Sequence, residues 1–149
     1  MQRRHTVSFS KRFEQEAEAL NYSLDDVKAD LELHLDSIGT GNMPVHYLGK
    51  SDSFNRPQSA VDADLMKIHV YDVTCPTFNG PEQKAWNKAK NLRQRTSDTY
   101  FVYTMNYFDE YECHFVGIVS PAHLRCNVTK SGMVWIAPLV DAANKFNGM

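Results

Sequence analysis

Two residues in the segment SPAHLRCN (residues 120–127) have side chains suited to acid–base chemistry on a phosphate. His123 directly follows a predicted strand, and Arg125 lies two residues further on. An imidazole takes or gives a proton near neutral pH, and a guanidinium stabilises negative charge that develops on a phosphate. The end of a rigid strand is a good mount for such groups. The alternative, which the residues alone leave open, is a loop histidine beside a surface arginine.

Basic residues come directly before the strand predicted at Tyr100 to Asn106. They lie in the segment NLRQRTSDTYFVY (residues 91–103) and just upstream of it. Residues 82–97 contain five cationic side chains and one acidic side chain, a local charge of +4 in a chain whose net charge is −2. The five are Lys84, Lys88, Lys90, Arg93 and Arg95. Such asymmetry indicates a cationic surface that meets a polyanion, and a solvated helix or loop is the alternative. Asp98 either caps the turn or holds Arg95.

His69 and Tyr71 form a third candidate group, on a predicted strand. His69 alternates with Ile68 and Val70, so if those two face the core, His69 faces solvent or a groove. Tyr71 then lies on the same face. The pair predicts a stacking and hydrogen-bonding surface for RNA bases, and partly exposed strand residues are the alternative.

The helices and strands that must position these residues are predicted from the spacing of apolar residues and from capping and turn residues. Leu24, Val27, Leu31 and Leu35 recur at helical spacing after Ser23, a good N-cap, and the helix ends near Ile38. The strands are predicted at Val7 to Phe9, Val45 to Leu48, Met66 to Val73, Tyr100 to Asn106 and Glu112 to Ser120.

The last two strands are close enough along the chain to form an antiparallel hairpin. Residues 82–92 form either a short basic helix or a loop. A terminal helix is placed at residues 138–146, because Pro138 fits only a first turn. Together these elements predict one α+β domain, residues 1–149, with helices packed on a small antiparallel sheet.

Several functional classes are disfavoured because the sequence lacks their motifs. It has no Gly-rich phosphate loop, HExxH, zinc-ligand spacing or GxSxG motif, although a metal site assembled from scattered histidines stays possible. Its basic opening lacks the apolar stretch of a secretory signal, and no apolar run approaches the roughly 20 residues that cross a bilayer. The three cysteines (Cys75, Cys113 and Cys126) lack CxxC spacing, which favours the cytoplasm over a disulfide framework.

Short motifs in a shared order give the chain a resemblance to a known family. RTSDTYFVY, then FDE, an apolar strand and PAH resemble the C-terminal half of the YafO-type toxins of bacterial toxin–antitoxin systems. Upstream, Met43-Pro44, Leu48-Gly49-Lys50, Asp52, Phe54 and Pro57 resemble the family's LP…FGRD…P loop, with Lys50 where Arg is usual. Ile68-His69-Val70 resembles its HIHL strand. The resemblance covers about residues 23–146, and the connection from Val73 to Leu92 differs.

The resemblance implies a ribosome-dependent endoribonuclease that cleaves translated mRNA and is neutralised by a cognate antitoxin, and the cysteine usage and the lack of a long apolar run add the expectation of a cytoplasmic protein with no membrane partner. The ribose 2′-OH would supply the nucleophile, with no metal or other cofactor. It also implies a topology similar to that of the RelE-like group. Alternatives are a non-catalytic RNA- or ribosome-binding translation blocker and a metal-dependent hydrolase.

The residues are assigned to roles accordingly. His123 is the predicted general acid or base, with Arg95 and Arg125 as phosphate clamps. The predicted RNA- or ribosome-binding residues are Lys50, His69, Tyr71, Lys84, Lys88, Lys90 and Arg93.

Overall fold

The computed structural model describes residues 3–125 and 132–148, with side-chain environments given for all of these except 124, 125, 132 and 133. The strands are β1 (Thr6–Phe9), β2 (Leu48–Ser53), β3 (Met66–Val70), β4 (Tyr100–Asn106) and β5 (Asp109–Val119). The helices are α1 (Lys11–Ala19), α2 (Leu24–Ser37), α3 (Gln58–Asp62), α4 (Gly80–Lys88), α5 (Ala122–Arg125) and α6 (Gly132–Phe146). A 3₁₀ turn spans Leu92–Gln94.

The strands form one sheet in the order β1-β5-β4-β3-β2. Three neighbouring pairs are antiparallel, whereas β1 runs parallel to β5 with Val7 opposite Cys113. The predicted α+β class is therefore confirmed, and the sheet is mixed rather than purely antiparallel. The parallel pair arises because α1 and α2 lie between β1 and the rest of the sheet in the chain, which is the long connection that parallel strands require.

One face of the sheet packs against α1 and α2. Ser23 accepts a hydrogen bond from the Asp26 amide, so α2 begins where its sequence predicts. The core on this face combines helical and strand side chains, which are fully or almost fully buried. They include Phe13, Ala17, Val27, Leu31, Leu35, Ile68, Val70, Phe101 and Phe115.

The opposite face packs against α3 and α6. Ile136, Leu139 and Ala143 of α6 are buried in a second core with Val102 and Val116 of the sheet. The prediction that Pro138 begins this helix is wrong, because Pro138 lies inside α6. Burial of the apolar stripe compensates for the backbone hydrogen bond that an internal proline removes.

The edge strand β2 also differs from its predicted position. It spans Leu48–Ser53 rather than residues 45–48, and it pairs with β3 so that Asp52 lies opposite Lys67. Polar residues in this strand hid it from a search for apolar alternation. Lys67 lies on β3, opposite Val102 of β4, and Asp52 lies on the edge strand beyond it. Among the described residues, no helix is sufficiently long and apolar for a membrane crossing.

Candidate active site

His123 lies at the start of α5, immediately beyond the end of β5, and is held there by Asp98. The Ala122 amide donates to the Asp98 backbone carbonyl at 2.6 Å, and the His123 amide donates to Asp98 Oδ1 at 2.7 Å. The His123 ring places Nδ1 2.5 Å from Asp98 Oδ2. The imidazole is 69% exposed, whereas the Asp98 side chain is 14% exposed. A largely buried carboxylate therefore fixes an exposed histidine.

This pairing assigns different tasks to the two ring nitrogens. A carboxylate only accepts hydrogen bonds, so Nδ1 of His123 carries a proton that it donates to Asp98. In the neutral ring, Nε2 is then the nitrogen with a free lone pair, able to accept a hydrogen bond. Thr77 Oγ1 also donates to Asp98 Oδ2, at 2.7 Å, and steadies the carboxylate from the other side. The arrangement is suited to taking a proton from a substrate hydroxyl and returning it.

Local hydrogen bonds explain why the pair is positioned at the strand ends. Thr99, which precedes β4, is buried, and its hydroxyl oxygen lies 2.9 Å from both Asp72 Oδ2 and Ser120 Oγ. These contacts tie together the segments that follow β3, precede β4 and follow β5. Asp98 is consequently mounted beside His123 although 25 residues separate them in the chain. The sequence-based alternatives for Asp98, a turn cap or a partner of Arg95, both missed this contact.

A small pocket of about 200 Å³ opens beside His123. Arg56 and Lys67 supply cationic side chains to its lining, and Tyr100 supplies an aromatic ring. Lys67 Nζ lies 4.7 Å from the Tyr100 ring centroid and 3.8 Å from Asp52 Oδ1. Arg56 is exposed. The pocket thus combines an exposed imidazole with positive charge, which suits a phosphate.

Arg56 and Lys67 were not among the residues singled out in the sequence. Lys67 lies in the alternating strand MKIHV, whose pattern predicts core positions for the apolar residues and a functional role only for His69. Arg56 lies in the long connection before α3. A cation on the same strand face as His69, two residues away, was the signal available for Lys67.

His69 is buried rather than facing a groove, so that part of the expectation is wrong. The Ser97 amide donates to His69 Nδ1 at 2.8 Å, and the ring meets Tyr100 edge-on with centroids 4.7 Å apart. Burial, partly opposed by the Ser97 carbonyl oxygen 3.0 Å from Nδ1, lowers the pKa of His69 to about 4. A neutral His69 therefore supports Tyr100 and the turn at Ser97 from below the pocket.

Tyr71 belongs to a different neighbourhood from His69. It packs edge-on against Phe78 at 4.9 Å and Trp86 at 5.8 Å between ring centroids. Trp86 in turn donates from Nε1 to the His46 carbonyl at 2.8 Å. These contacts make Tyr71 part of the platform under α4, so the shared surface predicted for His69 and Tyr71 is not formed.

Arg95 points into the protein. The residue is 8% exposed, and its Nη1 donates to the backbone carbonyls of Val45 and Leu48 at 3.1 Å each. A side chain at Gly49 would meet the Arg95 carbonyl at 2.5 Å, so the backbones approach too closely for any residue but glycine. The exposed guanidinium that the phosphate-clamp assignment requires is absent at Arg95, which instead holds the entry to β2.

The remaining basic residues do reach the surface. α4 is anchored by buried Trp86, and exposed cationic side chains lie along it and on the turn that follows. These are Lys84, Lys88, Lys90 and Arg93. Lys50 on β2 is half-buried, with Nζ 3.1 Å from Asp52 Oδ2. Their contacts with RNA or the ribosome stay predictions. Arg125 lies in α5, and its side chain is outside the described part of the structure.

Across residues 3–125 and 132–148, no group of three or more His, Cys, Asp or Glu side chains is arranged to hold a metal ion.

Comparison with known families gives a match that includes this whole site. The model of the YafO toxin family, from type II toxin–antitoxin systems, matches residues 32–148. The chain belongs to the YafO toxin family. It is thus a toxin of a type II toxin–antitoxin system, for which an antitoxin partner is implied. No curated protein and no solved structure matches the chain significantly.

The YafO match runs from within α2 to the end of α6. It therefore contains the elements that carry Lys67, Asp98 and His123, while β1 and α1 precede it. The sheet with helices on both faces is compatible with a RelE-like topology, which stays a prediction for this YafO-family toxin.

Proposed function

We propose that this YafO-family toxin is a ribosome-dependent endoribonuclease that cleaves mRNA during translation. The observation that carries the proposal is the exposed His123 ring held through Nδ1 by Asp98, next to the cationic side chains of Lys67 and Arg56. Family membership supports the toxin part of the statement. The geometry supports the reaction type.

RNA supplies its own nucleophile. The ribose 2′-oxygen attacks the adjacent phosphorus, and the bond from phosphorus to the 5′-oxygen of the next nucleotide breaks. One proton leaves the 2′-hydroxyl and one proton reaches the departing 5′-oxygen. The products are a 2′,3′-cyclic phosphate and a 5′-hydroxyl, and no oxidant, metal or other cofactor enters the balance.

In this scheme, His123 handles the proton as general base or acid through Nε2. Asp98 keeps the ring oriented through its contact with Nδ1. Lys67 and Arg56 stabilise the negative charge of the pentavalent phosphorane. Arg125 as an additional phosphate clamp stays part of the proposal. Acid–base catalysis of this kind accelerates reactions by about 10²–10⁴-fold, and positioning of the RNA supplies a further part.

The ribosome would supply that positioning. The exposed surface formed by Lys84, Lys88, Lys90 and Arg93 is a suitable contact for phosphates of ribosomal RNA or of the message. Because each phosphate contact displaces counterions, association should weaken as the salt concentration rises. The cognate antitoxin would neutralise the toxin by binding it.

The experiment is a primer-extension map of a reporter mRNA with and without translating ribosomes. The proposal predicts discrete cuts within translated codons that require ribosomes, persist with a transition-metal chelator that leaves the ribosomal Mg²⁺ in place, and disappear with His123→Ala. The matched control is His46→Ala, because His46 is an exposed histidine that contacts Asn87 instead of the pocket. Cuts that His123→Ala leaves unchanged would remove the proposed acid–base residue.

A second candidate is a translation blocker that binds RNA or the ribosome without cutting. The exposed basic surface on α4 favours it, since that surface suffices for binding. The same map separates the two candidates: slowed translation with intact message supports the blocker. Loss of cutting on chelation would instead support a metal-dependent hydrolase.

A further inference from the structure

A second pocket, of about 510 Å³, lies at the outer edge of the sheet. Its floor is the edge strand β2, where Lys50 and Asp52 contribute side chains. One wall is the loop that leaves α2, and the other is the 3₁₀ turn with Arg93. The volume is in the range of pockets that enclose small ligands.

The lining combines the three kinds of group that a nucleotide needs. Ile38 and Leu92 provide apolar surface for a base, and Asn91 provides an amide that can hydrogen-bond to base edges. Lys50 and Arg93 provide positive charge for a phosphate. Asp52 is the carboxylate in this lining, and it is shared by two lysines, so the cluster keeps a net positive charge.

The wall formed by the loop after α2 has a defined backbone shape. Gly39 and Gly41 have φ values of +85° and +84°, which other residues adopt only with strain. Thr40 Oγ1 donates to the Ser37 carbonyl at 2.6 Å and accepts from the Asn42 amide at 3.2 Å. The pocket wall is therefore preformed rather than assembled around a ligand.

A chain of ionic contacts joins this pocket to the one at His123. Lys50 Nζ lies 3.1 Å from Asp52 Oδ2, and Lys67 Nζ lies 3.8 Å from Asp52 Oδ1. Lys50 lines the edge pocket and Lys67 lines the pocket beside His123. A single strand of RNA laid across β2 and β3 would thus place one phosphate at each lysine.

We propose that the edge pocket binds one nucleotide of single-stranded RNA that flanks the scissile phosphate. Its base packs against Ile38 and Leu92, Asn91 contacts the base edge, and Lys50 with Arg93 binds the phosphate. This proposal rests on the endoribonuclease function and extends it, because the base in this pocket then contributes to the choice of cleavage position.

The binding test uses the isolated full-length chain, labelled for NMR, and AMP, GMP, CMP and UMP added one at a time. At least one nucleotide should shift the backbone amides of residues 38–43 and 91–93. Lys50→Met should weaken that binding roughly tenfold, the loss expected for one charged hydrogen bond. Lys145→Met, an exposed lysine near the end of α6, is the control and should bind as the wild type does.

Shifts confined to α4, or no shifts at all, would overturn the subsite, as would shifts that Lys50→Met leaves unchanged. A second arm maps cleavage positions with Asn91→Ala, which should redistribute the cuts among codons. If nucleotides bind the pocket and messages stay intact, the subsite stands and the endoribonuclease function fails. If messages are cut and the pocket ignores nucleotides, the reverse holds.

Discussion

Arg95 and Asp98 lie three residues apart, yet their side chains serve opposite parts of the molecule. Arg95 turns inward and donates to the carbonyls of Val45 and Leu48. Asp98 turns toward His123 and holds its exposed ring. The first region is a buried cation that donates to two backbone oxygens, and the second is an exposed imidazole paired with a carboxylate.

The difference indicates that Arg95 serves the stability of the fold, whereas His123 is free to serve the proposed reaction. A buried charge with several backbone partners is costly to disturb, because its removal leaves those partners unsatisfied. An exposed histidine contributes little to stability and keeps a nitrogen available for substrate. Substitutions at Arg95 should therefore lower mainly the free energy of unfolding, whereas substitutions at His123 should lower mainly the rate of mRNA cleavage.

The largest effect is expected from substitution of the exposed His123. His123→Ala should lower the rate of mRNA cleavage by about 10²–10⁴-fold, because the general acid–base group is lost. Its free energy of unfolding should stay within about 0.5 kcal/mol of the wild type, as for other surface changes. Ribosome-dependent cleavage and urea unfolding measure the two quantities. Full activity in this variant would erase the distinction between the regions.

The buried side should show the converse. Arg95→Met should lower the free energy of unfolding by about 2–4 kcal/mol, because the carbonyls of Val45 and Leu48 lose a charged donor. The exposed neighbour Arg93→Met is the control for stability and should change it by less than about 0.5 kcal/mol. An Arg95→Met protein that unfolds like the wild type but no longer cleaves would return Arg95 to the catalytic set.

Two buried histidines sharpen the comparison through pH. Burial lowers the pKa of His34 to about 4, and the pKa of His69 is also lowered to about 4 for the same main reason. Since the unfolded chain binds protons near the ordinary pKa of about 6.5, it gains protons first as the pH falls. The free energy of unfolding should therefore decrease from pH 6.5 towards pH 4, as urea titrations at several pH values would show.

The control for this pH effect is His34→Gln, which keeps a hydrogen-bonding side chain near the Gly49 carbonyl. Its loss of stability on acidification should be smaller than that of the wild type. An identical pH dependence in both proteins would mean that His34 titrates no differently in the folded and unfolded states.

The smallest effects are expected from substitutions of the exposed lysines on α4. Lys84→Ala and Lys88→Ala should each leave the free energy of unfolding within about 0.5 kcal/mol of the wild type. If these lysines contact phosphates, each change should reduce the salt dependence of ribosome association by about one unit of slope. Sedimentation with ribosomes over a range of salt concentrations measures that slope. An unchanged slope in both variants would show that α4 is a solvated face.

Much of the fold was predictable because its signals are local. The leucine spacing and Ser23 predict α2, and two nearly continuous apolar runs with a short connection predict the hairpin of β4 and β5. The parallel pairing of β1 and the helix that continues through Pro138 were missed, since both depend on packing between distant segments. Polar β2 was placed too early for the same reason: its partner strand, not its own pattern, defines it.

The candidate site was predictable only in part. His123 stood out by its type and its position after a strand, and that inference needed no tertiary contact. Its partner Asp98, and the cations Lys67 and Arg56, come from segments that only the folded sheet brings together. Arg95 shows the opposite failure, because nothing local distinguishes an arginine that faces solvent from one that caps backbone carbonyls.

The most direct test of the central claim is the chemistry of the cut ends in a translated reporter mRNA. With the wild-type toxin, the downstream fragments should carry 5′-hydroxyl groups and the upstream fragments cyclic or 3′-phosphates, and His123→Ala should produce neither. Downstream fragments that carry 5′-phosphates, or the same ends made at the same rate by His123→Ala, would contradict the assignment of His123 and Asp98 to 2′-hydroxyl chemistry.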